Sequence, residues 1–411
     1  MAKTTVERIQ FRCYNTTMDK NEFDVIVIGA GPAGIIAAGM SARTGRRTAL
    51  LEKNDQIGRK LRLAGGGRCN ISTLVPQSQF LQAFGREGQF LRQAISALGP
   101  EELKKFLAEI NVDIYEQGPQ LFIAGGGKKL VEALIAFLNR HHVEIRLNQK
   151  VTAMIPLENG RFSVETSTDH FVARQKVILA AGGKTYPLTG SAGDGFVLAQ
   201  SLGHQINPPV PAMGAVHLKE SVFDGLAGIS LQDVLVEVFF DNKRQGTFRG
   251  GFLITHHGVS GPAILNASLI IARGLEKHHK VSIRLHLFPD QNIDNDTMGI
   301  LESLPQRLRA MILKQAGVDL SQKTIQITRS QRHALLSMLK GWNFEVKNTA
   351  SWDQAMVTVG GVSLKQVDPK TMQSRLHPGL YFAGEVLDLA GACGGYNLQA
   401  AFSTGYLAGI S

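Results

Sequence analysis

FDVIVIGAGPAGIIAAGMSARTGRRTALLEKN, residues 23–54, is the stretch whose reading decides the fold. The β-branched run Val25-Ile26-Val27-Ile28 predicts a buried parallel strand. It stops at Gly29-Ala30-Gly31-Pro32-Ala33-Gly34, after which small and apolar residues from Ile35 to Met40 continue with helical character. A second strand, Thr48–Leu51, ends at Glu52, 18 residues past Gly34. This is a βαβ unit carrying a dinucleotide-binding fingerprint. Gly29 permits the tight turn, Gly31 lets backbone N–H groups approach a pyrophosphate, and Gly34 lets helix and strand pack closely. The pyrophosphate would lie over Gly31, Pro32, Ala33 and Gly34, where the helix N-terminus supplies partial positive charge. Glu52 sits where a carboxylate can accept hydrogen bonds from adenosine ribose hydroxyls. A lone GxGxxG is weak in a chain of 44 glycines; strand, helix and acid at this spacing make it specific.

Working outward, 411 residues set a prior of two or three domains. No apolar run approaches the roughly 18 residues needed to span a bilayer, so no membrane association is expected. Cys13, Cys69 and Cys393 are too widely spaced for a disulfide framework or a metal cluster. The N-terminus lacks the apolar core of a signal peptide, and a cytoplasmic location is expected. Residues 1–20 read as a disordered extension, with Met18-Asp19-Lys20 a natural start. The net charge is +10, and residues 41–70 hold eight basic side chains (Arg43, Arg46, Arg47, Lys53, Arg59, Lys60, Arg62, Arg68) against Glu52 and Asp55. A cofactor pyrophosphate would use one or two of these; the surplus favours a polyanionic partner, nucleic acid foremost, or else a solvated basic surface.

Past Glu52, the glycine triplet in Gly58–Asn70 (GRKLRLAGGGRCN) can wrap backbone donors around an anion. Residues 79–112 and Lys128–His142 read as helices, Glu144–Val151 as a strand, and Phe162–Glu165 with His170–Ala173 as a hairpin. Lys176–Ala181 is a buried strand running into Gly182-Gly183. Pro208, Pro209 and Pro211 mark a boundary. Ala215–Leu218, Val234–Phe240 and Val281–Leu287 alternate as antiparallel strands. Residues 251–262 read as a turn-rich link into a helix, and 292–345 as a polar, helical cap. The sheet begun at the N-terminus is completed only by the C-terminal segment, so the stretch between is an insertion. The expected division is 21–207 plus 350–411 as a discontinuous cofactor domain, 208–290 as a β-rich insert and 291–349 as a small helical insert.

Three later motifs carry a resemblance. The fingerprint, the Ala180-Ala181-Gly182-Gly183 strand exit and the Gly384-Glu385…Asp388 segment together resemble a two-dinucleotide-binding-domain flavoprotein. More narrowly, GRKLRLAGGGRCN, THHGVSGPAIL and AGEVLDLAGACGGYNLQAAFSTG are similar to the BaiN/RdsA (YhiN-type) family of FAD-dependent NAD(P)/FAD oxidoreductases, over essentially residues 22–411. The resemblance implies a Rossmann-like α/β flavoprotein fold with inserted β-barrel-like and small helical domains. It implies reduction of carbon–carbon double bonds, one branch being linked to dihydrouridine in ribosomal RNA and another to bile-acid intermediates. The Gly118–Gly127 segment departs from the family pattern, being glycine-rich where relatives carry a basic phenylalanine-proline turn.

The expected cofactor is therefore FAD, with adenosine on Glu52 and pyrophosphate over the fingerprint. Lys53, Arg59, Lys60, Gly67, Asn70, Ala181, Gly182, Gly384, Glu385 and Asp388 complete the expected contacts, and Val151 offers backbone to the adenine. Gly395, Tyr396, Asn397 and Leu398 open the last helix, whose positive end would face the pyrimidine edge of the flavin. Only one GxGxxG occurs, so NAD(P)H as reductant would share the substrate's cavity in turn. Reducing the C5=C6 bond of a uracil needs a hydride at one carbon and a proton at the other. Cys69, tuned by Arg68 and the glycine amides, and His256, at the start of a loop, are the candidate acids; each could instead be structural. Three functions fit: a reductase of ribosomal RNA, an ene-reductase or dehydrogenase of a small molecule, and a flavin-stabilised RNA-binding or assembly factor.

Overall fold

In the computed structural model the described residues are 20–256, 258–291, 293, 297–319 and 326–411. All but Lys20 of the expected N-terminal extension lie outside them. The first strand, Glu22–Ile28, is flanked in parallel by Thr48–Leu51 on one side and His170–Leu179 on the other. Glu144–Arg146 and Leu380–Phe382 extend this parallel sheet at its two sides. Val25, Ile26 and Val27 have no exposed surface, as expected of a strand covered on both faces. The long strand His170–Leu179 forks: its first half pairs antiparallel with Phe162–Thr166, which pairs in turn with Val151–Pro156. The stretch Glu144–Val151, expected as one strand, therefore divides between the parallel sheet and this meander.

Two helices seal one face at its glycines and alanines. A Cβ at Gly34 would collide with the Gly29 carbonyl, so the first helix, Pro32–Arg43, sits directly on the strand exit. A Cβ at Gly405 would meet the Ala33 backbone, and one at Gly409 would stand 2.7 Å from the Ala37 carbonyl oxygen. Gly405 and Gly409 lie one turn apart on the last helix, Tyr396–Ile410, so the two ends of the chain cross at backbone distance.

The chain leaves this domain along Ile206–Ala212 and returns along Val357–Val362, which pair antiparallel. Between them, six strands close a barrel in the order Val216–Leu218, Gly258–Ser260, Lys243–Thr255, Ser230–Phe240, Val281–His286 and Trp342–Thr349. A helix, Pro262–Glu276, packs Ala263, Ile264, Ala267 and Ile271 into the barrel's core. Gly251–Thr255, read from sequence as a turn, ends the long third strand of that order; Phe252 and Ile254 face the core while Leu253 is exposed. The helices Thr297–Glu302, Gln306–Gln315 and Arg329–Gly341 share that core through Leu301, Leu308, Ile312, Leu335 and Leu339. Residues 342–349, expected among the helices, form the closing strand, with Phe344 and Val346 alternating inward.

One buried cation makes the fold's stability depend on pH. Lys176 is 3 % exposed; its Nζ donates to the Ala408 carbonyl at 3.2 Å and stands 4.7 Å from the centroid of the Tyr381 ring. Burial, with a smaller contribution from the charge of Arg46, pushes its pKa down to about 7. An unfolded lysine titrates at roughly 10.4, so between these limits the folded chain binds fewer protons and stability rises with pH. Lys176→Met should therefore be more stable than wild type at pH 7, with the gap closing by about pH 10; pH-resolved urea unfolding measures this. Gly405→Ala should cost about 1–3 kcal/mol by overpacking the helix crossing, read from the urea midpoint.

Candidate active site

At the fingerprint, the first-turn N–H groups of the first helix have no intrahelical partner, and no side chain caps them. A Cβ at Gly31 would meet nothing within 4 Å, so the backbone there is open to a ligand. Glu52, 8 % exposed, accepts from the Ala30 N–H at 2.8 Å through Oε2. Its Oε1 takes the Asn54 N–H and side-chain amide at 2.9 and 2.7 Å. A carboxylate has about four lone-pair sites, so one remains, on Oε2. Beside it, Gln149 N–H donates to the Glu52 carbonyl at 2.8 Å, which brings the chain entering Val151 alongside. Val151 starts the meander strand.

The strand exits and the C-terminal segment converge on the same turn. A Cβ at Gly29 would stand 2.6 Å from the Ala180 carbonyl oxygen and 2.9 Å from the Ala181 Cα, and Gly182 turns away with φ +74°. Gly384 would place a Cβ 2.7 Å from that of Ala33, and its N–H donates to Thr404 Oγ1 at 2.9 Å. Glu385 accepts the Thr358 N–H at 2.8 Å and Lys60 Nζ at 2.9 Å. Lys60 also donates to Thr185 Oγ1 at 2.7 Å, so this lysine joins two loops. Arg59 donates to Asp55 Oδ1 at 2.8 Å and Asn54 Oδ1 at 3.2 Å, and Lys53 pairs with Asp194.

Asp388 is held by scaffold groups. It accepts from Asn207 Nδ2 at 2.7 Å and Gly360 N–H at 3.0 Å, and pairs with Arg273 of the barrel's helix. All its partners lie on connecting strands or the insert, which its short side chain reaches because Val362 leads directly back to Leu387.

At the other end, a Cβ at Gly395 would stand 2.6 Å from Ser72 N and 2.7 Å from Asn70 Oδ1, so the strand Asn70–Thr73 lies against the start of the last helix. That helix has no side-chain cap. Asn70 Oδ1 is buried without a hydrogen-bond partner, an acceptor open to a ligand. Asn397 is committed elsewhere, bridging the Gly391 N–H and carbonyl at 2.8 and 2.9 Å. The Tyr396 ring packs 5.1 Å from Phe80, leaving the first-turn N–H groups of Tyr396, Asn397 and Leu398 as the usable donors. Gly65, Gly66 and Gly67 take φ of +59°, +64° and +92° along the neighbouring loop.

Three residues were missed in the sequence. Gln399 holds Ser72 Oγ and the Leu98 carbonyl, Thr185 receives Lys60, and Asn266 of the barrel's helix accepts the Cys393 N–H at 2.8 Å. Their partners lie 125 to 327 residues away, beyond any local spacing rule.

The two candidate acids part company. Cys69 has no exposed surface and lies in the cofactor-domain core, where burial pushes its thiol up to about 12. Arg68, expected to tune it, stands 5.7 Å over the Phe122 ring. His256 instead lines an open cavity of about 320 Å³ with Phe223, Asp224, Thr255 and Arg307. Arg307 donates across its rim to the Gly225 and Ala227 carbonyls at 3.1 and 3.4 Å.

The basic cluster at 41–70 does not form one face. Arg43, Arg46 and Arg47 lie at the amino end of the second strand, bonded to Glu109, to the Gly409 and Ser411 carbonyls, and to Glu144. Lys53, Arg59 and Lys60 lie at its other end, each with a carboxylate. The charges are separated by the strand and largely paired.

The profile of the HI0933-like protein Rossmann domain matches residues 23–411. The chain belongs to this HI0933-like family. It is 30 % identical over 402 residues to the 3-dehydro-bile acid delta(4,6)-reductase of Clostridium scindens, covering 93 % of this chain and 97 % of that one. It is 28 % identical over 401 residues to the ribosomal RNA dihydrouridine synthase of Escherichia coli, covering 93 % and 96 %. Among solved structures, the 3-ketosteroid-delta4-(5alpha)-dehydrogenase of Rhodococcus jostii RHA1 superposes with a TM-score of 0.51 at 16 % identity, covering 98 % of this chain and 99 % of that one, a likeness of fold. As a member of the HI0933-like family the protein is an FAD-dependent oxidoreductase of Rossmann-like fold. The residues present fit that cofactor: an open fingerprint turn, an acid beside it, two uncapped helix N-termini and an orphaned buried amide oxygen. Among the described residues no helix is long and apolar enough to cross a membrane.

Glu52→Ala should purify with less than a tenth of the wild-type FAD content, measured by absorbance of the released flavin. Asp388→Asn should keep its FAD and lose stability, since its partners are scaffold groups.

Proposed function

We propose that the protein reduces a carbon–carbon double bond, that of a uracil ring in ribosomal RNA, with NAD(P)H as the donor. FAD, when bound, supplies two-electron hydride chemistry. The balance is one hydride and one proton added across C5=C6, with NAD(P)H oxidised to NAD(P)⁺. The observation that carries the substrate reading is the cavity beside His256. It is open and lined by Asp224, His256 and Arg307, groups suited to a polar heterocycle and its phosphate, where a sterol calls for a closed apolar pocket. The full-length likeness to ribosomal RNA dihydrouridine synthases supports the same reading. The bile-acid relative supports the alternative, a small-molecule ene-reductase; both share the chemistry of a polarised double bond.

Within this reading the chain's own groups divide the work. Backbone N–H groups at Gly31–Gly34 and at the start of the last helix hold and orient the cofactor. One dinucleotide fingerprint serves one cofactor, so donor and acceptor take turns at a single face. Access favours His256 over Cys69 as the proton source, because a buried thiol held near 12 meets no substrate.

Ribosomal RNA from wild-type and gene-deleted cells, digested to nucleosides, should differ by one uridine heavier by two hydrogens. Its return with the intact gene and not with Glu52→Ala supports the reading; unchanged RNA contradicts it. His256→Gln should slow substrate reduction by roughly 10²-fold or more while leaving bleaching of the flavin by NAD(P)H unchanged, measured in separate stopped-flow half-reactions. Cys69→Ala should leave both half-reactions intact.

A further inference from the structure

We infer that the helices Gln306–Gln315 and Arg329–Gly341 form the surface that holds the phosphate backbone of the RNA substrate; this rests on the ribosomal RNA reading above. Residues 306–341 carry seven lysines and arginines against one carboxylate, Asp319, which is +6 of the chain's +10. The two helices themselves contain Arg307, Arg309, Lys314, Arg329, Arg332 and Lys340 and no acid. Arg307 and Lys314, seven residues apart, lie on one exposed face of the first, about 10 Å from each other. Arg329, Arg332, His333 and Lys340 lie on the exposed face of the second, opposite the buried Leu335, Met338 and Leu339.

Charge on the rest of the insert is arranged differently. On the barrel, Lys219 and Lys280 pair with Glu345, Arg244 with Glu237, and Arg249 with both Asp233 and Asp290. No carboxylate pairs with Arg309, Lys314 or Arg329 among the described residues. A surface built only for solubility mixes both signs; one that excludes acids over two neighbouring helices is shaped for a polyanion. The surface is continuous with the cavity beside His256, because Arg307 starts on the first helix and bonds the Gly225 and Ala227 carbonyls at the cavity's rim. Backbone held on these helices would present a base to that cavity, with the phosphates giving position and the cavity giving identity.

The test uses FAD-loaded full-length protein and unmodified ribosomal RNA transcribed in vitro, with affinity measured from about 50 to 200 mM salt. The double variant Lys314→Ala/Arg329→Ala should weaken binding roughly tenfold or more and reduce the log–log salt slope by about 2, with Lys314→Arg/Arg329→Lys restoring both. FAD content and bleaching by NAD(P)H should match wild type, showing that the variant is folded. An alanine variant that binds RNA with wild-type affinity and slope overturns the assignment. So does a wild-type protein that ignores RNA yet binds polyglutamate, which would give the surface to an acidic protein. Cellular RNA separates the two levels: loss of dihydrouridine on gene deletion with full retention in the alanine variant sinks this surface alone, whereas no loss on deletion sinks the substrate reading itself.

Discussion

The rest of the structure depends on the crossing of the first and last helices at backbone distance. Gly405 and Gly409 sit against Ala33 and Ala37, where any side chain would meet main chain. That contact brings Gly384 beside Ala33 and places the start of the last helix near the strand Asn70–Thr73. A candidate cofactor site assembled from both ends of a 411-residue chain has no local cause; its cause is this packing. Close helix packing without side-chain volume also explains the small residues at the crossing, Ala33 and Ala37 on one helix and Gly405 and Gly409 on the other.

The same site is coupled to the insert by two polar ties. Asp388 binds the outgoing strand at Asn207, the returning strand at Gly360 and the barrel's helix at Arg273. About two turns earlier on that helix, Asn266 takes the Cys393 N–H, next to the glycines that open the last helix. The barrel and its helices are thus fastened to the loop that meets the cofactor domain, and the cavity beside His256 belongs to the fastened part.

Much of this was legible in the sequence because its signals are local. The fingerprint and the acid at Glu52 follow from chain geometry within about 30 residues, the length of one βαβ unit, and the Ala180–Gly183 exit from its own buried strand. The flavoprotein fold and family were legible in the motifs around Gly65 and Gly395. Side-chain partners were not legible. The side chains of Asp388, Asn397 and Lys60 bond to groups far off in the chain or across a loop, which no periodicity foretells. Cys69 looked tunable beside Arg68, yet the chain turns at φ +56° and buries the thiol while the guanidinium goes to Phe122. The basic run at 41–70 is dense in sequence and divided in space, because an extended strand separates its halves.

The central claim is that both chain ends build one cofactor berth, closed by the Gly405–Ala33 crossing. A crystal structure of the FAD-loaded protein tests it most directly. The account predicts one FAD per chain, its pyrophosphate against the Gly31–Gly34 amides and its ring system at the Gly395 helix start beside Asn70 Oδ1. Density that touches only one of these two ends, or lies within the barrel, would contradict it.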